Sequence, residues 1–292
     1  MSQLPYRPET GCAATALLRG DNLMATAPPA RSWLLIECRE PWPRQALTAL
    51  GEYTERVRAA CAEIGCRPAL IRRYGRSDPT VPRRWGLVDS RPGRESARWG
   101  ELRSYADLLD VLAGELPGEL SDEPAYLICT HGRHDPCCAV QGRPVAATLA
   151  TAYPERTWEC SHVGGDRFAP NLVVLPHGLY YGHFPVLGAL DLATRYDKGL
   201  VVPEYFRGRG SFSPPVQAAQ HFARAAGASY EVNQLNPLAV KAIEPNRWDV
   251  TLAGGYAVQV SARLMTIDAA LTCGSASPGQ ARHFELERLV AP

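Results

Sequence analysis

The stretch PAYLICTHGRHDPCC, residues 124–138, joins a strand-forming run to a loop rich in cysteine and histidine. PAYLICT (124–130) is a short apolar run of the kind typical of a buried strand. After the loop, RPVAATLATAYP (143–154) is predicted to be a helix with Pro144 just inside its start. The stretch therefore predicts a strand–loop–helix unit. Its loop leaves the carboxyl end of a strand, where α/β folds place their sites.

The same order of elements occurs twice along the chain, and this unit opens the second occurrence. Earlier in the chain, apolar periodicity predicts three strands and two helices, over residues 32–43, 68–74 and 85–90 and over residues 44–65 and 104–116. Later, it predicts two strands and one helix, over residues 156–163, 170–176 and 186–196. We therefore predict an α/β fold of two tandem thioredoxin-like units, each with the order strand–helix–strand–strand–helix.

The two ends of the chain depart from this pattern. Residues 1–30 are predicted to be an arm draped over the fold, and FRGRGSFSPP (206–215) a linker. A helix over 216–227 and a β-hairpin over 247–265 then predict a small α+β appendage. The predicted domains are an N-terminal arm (1–30), a degenerate thioredoxin-like domain (31–118), a thioredoxin-like domain with the site (119–205) and a C-terminal α+β region (206–292).

Composition limits the classes of function. With a net charge of +1 and no block of like charge, the chain gives no electrostatic case for a nucleic-acid or membrane partner. No apolar run is long enough for a transmembrane helix, and the N-terminus lacks the features of a secretory signal. We therefore expect a cytoplasmic protein. There thiols stay reduced, so clustered cysteines are more typical of metal or redox sites than of disulfides.

A second group of chemically active residues lies in WECSHVGGDRF (158–168). On an extended strand, Cys160 and His162 face the same side, and Gly164-Gly165 lets the backbone turn closely around what they face. Two thiolates from the first loop with a thiolate and an imidazole from the second predict a four-ligand site for zinc or an iron–sulfur cluster. The alternative is that these cysteines are small buried apolar residues.

Both stretches resemble motifs of the sucrase/ferredoxin-like family, over roughly residues 30–205. The first family motif has the form C-x-H-x-x-[RH]-D-x-x-C, matched by Cys129, His131, Asp135 and Cys138. The second has the form H-x-G-G-H-[KR]-[FY]-A-x-N, matched by His162, Gly164, Gly165, Arg167, Phe168, Ala169 and Asn171. The better-understood eukaryotic members are thioredoxin-like [2Fe–2S] ferredoxins whose cluster is held by two cysteines and two histidines. The resemblance thus implies a [2Fe–2S] cluster in the 119–205 domain, electron transfer and redox partner proteins.

The chain departs from the second motif at one position, because Asp166 stands where a histidine is expected. A carboxylate is an unusual ligand for a cluster iron, whereas cysteine is the usual one. Cys160 is therefore the first candidate for the fourth ligand, and Asp166 and Cys137 come after it. The predicted metal ligands are Cys129, Cys138, Cys160 and His162.

Other residues are predicted to support the site. His131 and Asp135 are expected to orient the first loop by hydrogen bonds, or alternatively to cap a local turn. Arg167 is expected either to place a positive charge near the cluster or to be solvated at its rim. The remaining cysteines are dispersed and are predicted to be structural: Cys12, Cys38, Cys61, Cys66 and Cys273.

Two alternatives to an electron carrier remain open at this stage. A thiol–disulfide oxidoreductase normally uses CxxC, whereas Cys137 and Cys138 are adjacent. A structural zinc site is the other alternative, although the first cysteines are further apart than in a zinc ribbon. No motif marks the pair of carboxylates that glycoside hydrolysis requires, so the sequence does not support sucrase activity.

Overall fold

A computed structural model of the chain describes residues 7–275 and 277–292. The first six residues of the predicted arm therefore lie outside the described residues. Strands of the described part form one ten-stranded sheet and one four-stranded sheet. Among the described residues, no helix is long and apolar enough to cross a membrane.

The first half of the large sheet follows a short helix, α1 (Cys12–Arg19), within the predicted arm. Its strands are β1 (Ser32–Glu37), β2 (Cys66–Arg72), β3 (Arg83–Asp89), β4 (Ser96–Leu102) and β5 (Glu119–Ser121). Its helices are a 3-10 helix (Ala46–Tyr53), α2 (Thr54–Glu63) and α3 (Asp107–Ala113). The strand order is β2-β1-β3-β4-β5, in which only β1 and β2 are parallel.

The second half of the sheet has the same arrangement. Its strands are β6 (Ala125–Cys129), β7 (Thr157–Cys160), β8 (Asn171–Leu175), β9 (Leu179–Gly182) and β10 (Phe206–Arg209). Its helices are α4 (Pro136–Ala152) and α5 (Gly188–Asp197). The order is β7-β6-β8-β9-β10, and only β6 and β7 are parallel.

An antiparallel contact between β2 and β7 joins the two halves into one sheet, with Ile71 opposite Cys160. The predicted α/β class is therefore confirmed as a mixed α/β fold with a large mixed sheet. The order strand–helix–strand–strand–strand–helix–strand occurs twice, with equivalent pairing. The predicted order strand–helix–strand–strand–helix therefore omitted β4 and β5 from the first half and β9 and β10 from the second. The more specific description of these halves as thioredoxin-like units stays a prediction.

Alternating side chains place the two faces of the sheet in different cores. In β1, Leu34 and Ile36 pack with α2 and α3, whereas Trp33 and Leu35 face the opposite side. The core on that opposite side continues across both halves of the sheet and includes Cys129, the last residue of β6. The Cys129 thiol, at the end of β6, therefore lies in a buried apolar layer.

Helix α4 begins earlier than the predicted start at residue 143. Asp135 caps it and Pro136 occupies its first position, a local start signal that the sequence analysis did not use. Pro144 lies inside the helix as a result. The last two cysteines of the quoted stretch are thus in the first turn of a helix instead of a loop.

The linker predicted over 206–215 is wrong for Phe206–Arg209, which form the edge strand β10 paired with β9. Arg207 and Arg209 are each 1% exposed, and the surrounding backbone and side chains accept hydrogen bonds from both guanidinium groups. The glycine and proline residues of 206–215 indicated a turn. Phe206–Arg209 nevertheless form a strand because they pair with β9, which is distant along the chain.

The C-terminal region forms its own core. Its elements are α6 (Pro214–Ala225), β11 (Pro237–Glu244), β12 (Arg247–Leu252), β13 (Ala257–Ile267) and β14 (Gly279–Val290). The four strands pair in sequence order as an antiparallel sheet, and α6 packs on it. The predicted helix and the predicted hairpin, whose turn contains Gly254 and Gly255, are therefore confirmed.

Candidate metal centre

The close packing of α4 behind β6 brings two cysteines together. β6 ends at Cys129, and the chain then reverses into α4, whose first turn contains Cys138. At Gly142 the helix lies so near the strand end that a side-chain Cβ would overlap the carbonyl oxygen of Cys129. Glycine at this position therefore permits the approach of the helix that carries Cys138.

Three donor atoms meet at this point. The Sγ atoms of Cys129 and Cys138 and a ring nitrogen of His162 lie within 4.8 Å of one another. Both thiols are fully buried, whereas the His162 side chain is 26% exposed. Two thiolates and an imidazole suit soft or borderline metals such as iron and zinc. The structure thus brings together three of the four predicted ligands in a group that can hold a metal.

A second imidazole and a carboxylate extend the donor set. Donor atoms of His134, His162 and Asp166 form another group within 4.8 Å. Oδ1 of Asp166 lies 2.8 Å from Nδ1 of His162, and Oδ2 lies 3.5 Å from Nε2 of His134. The two imidazole rings stack with centroids 3.8 Å apart. The Cys138 thiol donates a hydrogen bond to Oδ1 of Asp166 at 3.1 Å, so this carboxylate contacts both groups.

The charges of these residues shift their pKa values in opposite directions. Hydrogen bonding by Cys138, helped by His162, lowers the pKa of Cys129 to about 5. Burial would lower the pKa of His162, but Asp166 and Cys129 raise it to about 9. Burial would likewise raise the pKa of Asp166, but hydrogen bonds from His134 and His162 hold it well below its usual range. The hydrogen bond with Cys129, together with burial, raises the pKa of Cys138 well above its usual range. The centre therefore holds one thiolate, at Cys129, and the Asp166 carboxylate. Cys138 and His162, in contrast, keep protons that metal binding would release.

His131 contacts the centre without belonging to either donor group. Its ring is buried, its Nε2–H donates to the carbonyl oxygen of Pro43 at 2.8 Å, and its Nδ1 accepts from the backbone N–H of His162 at 3.4 Å. Burial lowers the pKa of His131 to about 4, so the ring is neutral at pH 7. These bonds tie the first loop to the second, as expected of an orienting residue.

Cys160, the predicted fourth ligand, lies beside the donor groups. It ends β7, pairs in register with Cys129 and is fully buried in the same apolar core. Among the described residues, its Sγ belongs to no group of three donor atoms within 4.8 Å. The donor distances therefore do not favour Cys160, and its ligand role stays a prediction.

Gly164 and Gly165 form the turn that follows His162. Their φ angles are 98° and 83°, a left-handed conformation that suits glycine. An added Cβ would run into Pro28 at Gly164 and into the Arg207 guanidinium at Gly165. Arg207 donates to the carbonyl oxygen of Gly164 at 2.9 Å and to Oδ1 of Asn171 at 2.6 Å. A buried cation from β10 thus fixes the shape of this turn.

Arg167 is engaged by the N-terminal segment. Its guanidinium lies 3.1 Å from the carboxylate of Asp21 and packs over the ring of Phe168. Its side chain is largely buried, so it is not a solvated residue at the rim. The positive charge that was expected to act on the metal is thus paired with a carboxylate.

Asp135 belongs to a separate donor group with Cys12, Cys137 and Cys273. Its carboxylate accepts a hydrogen bond from the backbone N–H of Cys137 at 2.9 Å, which is the cap of α4, so the local-capping alternative describes this contact. Cys12 and Cys273, expected to be dispersed, lie together here although they are far apart in the sequence.

Two residues of the centre were missed by the sequence analysis. His134 had a signal, because it occupies the motif position where either arginine or histidine is expected. Arg207 had none, because it lies 43 residues from the turn that it holds and within a predicted linker.

Comparison with known proteins gives one match. A family model described as sucrase/ferredoxin-like matches residues 23–208, which contain both motifs and every donor of the centre around His162. Cys12 and Cys273 lie outside the matched range. Searches of curated proteins and of solved structures gave no significant match.

Proposed function

Because the chain belongs to the sucrase/ferredoxin-like family, we propose that it is an electron-transfer protein that binds one [2Fe–2S] cluster. The observation that carries the proposal is the convergence of Cys129, Cys138 and His162 at the end of β6. When bound, such a cluster supplies one-electron transfer. The function requires redox partner proteins, namely a reductase and an electron acceptor.

The donor set fits a two-iron cluster better than a single ion. Cys129 and Cys138 form one group with His162, and His162 forms another with His134 and Asp166. The donors therefore extend over two overlapping groups, whereas a mononuclear site needs four donors around one point. Mixed thiolate and imidazole ligation is the pattern of Rieske-type two-iron centres.

We assign the fourth ligand position to His134. Its ring stacks on that of His162 and belongs to the same donor group. Asp166 contacts a nitrogen of each ring, which is the position of a carboxylate that orients histidine ligands from outside the coordination shell. This assignment supplies two cysteines and two histidines although Asp166 replaces the expected histidine.

The imidazole side of the centre is its exposed side. The side chains of His134 and His162 are 31% and 26% exposed, whereas the thiols of Cys129 and Cys138 are fully buried. Electron exchange with a partner protein is therefore expected at the surface around the two histidines.

The proposal is tested on the full chain by visible absorption and by iron and sulfide analysis. We expect a reddish-brown protein with about two iron and two sulfide ions per chain, bleached by dithionite. Cys129→Ser should abolish the colour. Cys61→Ser, which changes a buried cysteine of α2, is the matched control and should retain it.

Other outcomes would decide against electron transfer. A colourless protein whose zinc is lost in Cys129→Ser would make the centre a structural zinc site. A colourless, metal-free protein with reductase activity that depends on Cys138 would favour the thiol–disulfide alternative.

A further inference from the structure

Three distant parts of the chain contribute to a second, compact donor group. Cys12 begins α1, Asp135 and Cys137 lie at the start of α4, and Cys273 lies between β13 and β14. The three Sγ atoms and a carboxylate oxygen all lie within 4.8 Å of one another. Cys12, Asp135 and Cys137 are buried, and Cys273 lies at the edge of the group.

Backbone amides point at the sulfur atoms of this group. The N–H of Cys12 donates to Sγ of Cys273 at 3.3 Å, and the N–H of Ala13 donates to Sγ of Cys137 at 3.5 Å. Cys12 and Cys137 also lie in the first turns of α1 and α4, where the helix dipole favours negative charge. Hydrogen bonds with Cys137 and Cys273, together with burial, raise the pKa of the Cys12 thiol. A hydrogen bond with Cys12 would lower the pKa of Cys273, but a hydrogen bond with Cys137 and burial outweigh this effect and raise it. The amides and helix starts would therefore stabilise the thiolates that a bound cation creates by displacing the thiol protons.

Asp135 is held in place by two further amides. Its Oδ1 accepts from the N–H of Cys137 at 2.9 Å, and its Oδ2 accepts from the N–H of Cys273 at 2.7 Å. The Cys12 thiol also approaches Oδ2, at 3.6 Å. Each carboxylate oxygen has two lone-pair positions, so each can still accept one more bond on the side where the sulfur atoms lie.

We propose that Cys12, Asp135, Cys137 and Cys273 bind one structural zinc ion. Zinc in structural sites is tetrahedral, with thiolate, imidazole or carboxylate ligands and no open position. Sγ of Cys137 and Sγ of Cys273 are 3.3 Å apart, near the roughly 3.8 Å that two thiolates span on one zinc. Binding would deprotonate the three thiols and release three protons.

The site would join parts of the molecule that the candidate cluster centre does not join. Zinc would tie α1 and the segment before β14 to the first turn of α4, next to Cys138. Cys12 and Cys273 lie outside residues 23–208, so this site is a property of this chain beyond the family match. It needs no cluster at Cys129, and its test is independent of the proposed electron transfer.

The test measures zinc bound by the purified full-length protein and its cysteine variants. We expect about one zinc per chain, resistant to dialysis, and its loss in Cys12→Ser and in Cys273→Ser. Any visible absorption from the Cys129 centre should persist in both variants. Cys61→Ser, a buried cysteine outside the group, is the control and should keep the zinc. Cobalt replacing the zinc should give the visible bands of a tetrahedral thiolate site, lost in Cys273→Ser.

Three results would overturn the proposal. The first is equal zinc content in wild type and Cys273→Ser, a variant at the edge of the group that should fold even if Cys12→Ser does not. The second is a Cys137–Cys273 disulfide found by mass spectrometry of the unreduced protein without zinc. The third is iron instead of zinc in this group.

Discussion

Asp166 connects the residues of the candidate cluster centre. Its carboxylate contacts His134, His162 and the Cys138 thiol, although it is itself almost fully buried. A buried carboxylate with three such partners stays ionised and fixes their orientation. In our proposal, this residue therefore positions the histidines, and His134 provides the second imidazole.

At the residue scale, His134→Ala and Cys160→Ala distinguish the two candidates for the fourth ligand. We expect His134→Ala to lose most of the bound iron and sulfide, because it removes a donor at the exposed side of the centre. Cys160→Ala should keep the full cluster with a small loss of stability, since it removes one sulfur from a packed core. Iron and sulfide analysis of both variants is the measurement.

If Cys160→Ala instead loses the cluster and His134→Ala keeps it, the fourth ligand is Cys160. The reduction potential gives a second criterion: with two histidine ligands it should lie above the roughly −400 mV of all-cysteine plant-type ferredoxins. A third thiolate in place of His134 would add negative charge and lower it.

At the element scale, the centre depends on the contact between α4 and the end of β6. Gly142 is buried in that contact and faces the backbone of Cys129. The neighbour is a carbonyl oxygen in a central strand, so it cannot rotate away as a flexible side chain could. The helix must move if the glycine is replaced, and Cys138 moves with it.

Gly142→Ala should therefore lower the free energy of unfolding by about 1–3 kcal/mol, the cost of an overpacked core. It should also reduce the metal content, because Cys138 shifts relative to Cys129. Thr151→Ala, at an exposed position of the same helix, is the control. Chemical denaturation and metal analysis measure the two effects. Unchanged stability and metal content in Gly142→Ala would contradict the proposed importance of this contact.

At the scale of the whole molecule, Arg209 joins the two halves of the sheet to the C-terminal region. It donates to the carbonyl oxygen of Ser90 at 3.1 Å, forms an ion pair with Glu95 and donates to Oδ1 of Asn233 at 2.8 Å. Nδ1 of the nearby His177 shares a hydrogen bond with the Tyr196 hydroxyl at 2.7 Å. Burial, helped by the positive charge of Arg209, lowers the pKa of His177 to about 4.

The lowered pKa of this partly buried histidine predicts a loss of stability in mild acid. Between the folded pKa of about 4 and the ordinary value near 6.5, the unfolded chain binds a proton that the folded chain does not. The free energy of unfolding should fall as pH falls from 6.5 to 4, with His177 contributing at most about 1.4 kcal/mol per pH unit. His177→Gln should make the dependence shallower in denaturation curves at several pH values.

His283→Gln, at a more exposed position on β14, is the control for that measurement and should leave the slope unchanged. Carboxylates also titrate in this pH range, so the informative quantity is the difference between the wild type and each variant. An equal slope in the wild type and His177→Gln would mean that His177 is not the group responsible.

Local patterns were sufficient for the elements near the centre. The apolar run of β6, the strand at 171–175 and the hairpin between β12 and β13 follow from short-range periodicity and turn residues. The pair of motifs also identified Cys129, Cys138 and His162, because each motif is contiguous. The sequence also contains a start signal for α4, Asp135-Pro136, but the cysteines around it were interpreted as part of a loop.

The sequence by itself determined the α/β class, the order strand–helix–strand–strand with which each half begins, and three residues that the structure brings together, Cys129, Cys138 and His162. Only the tertiary structure decided that 206–209 is a strand, that Arg207 holds the glycine turn, and that Cys12 meets Cys273 across 261 residues. The physical reason is the distance along the chain over which each kind of interaction acts. Periodicity and turn chemistry act over a few residues, whereas these contacts depend on how strands pair and helices pack, which distant segments decide together.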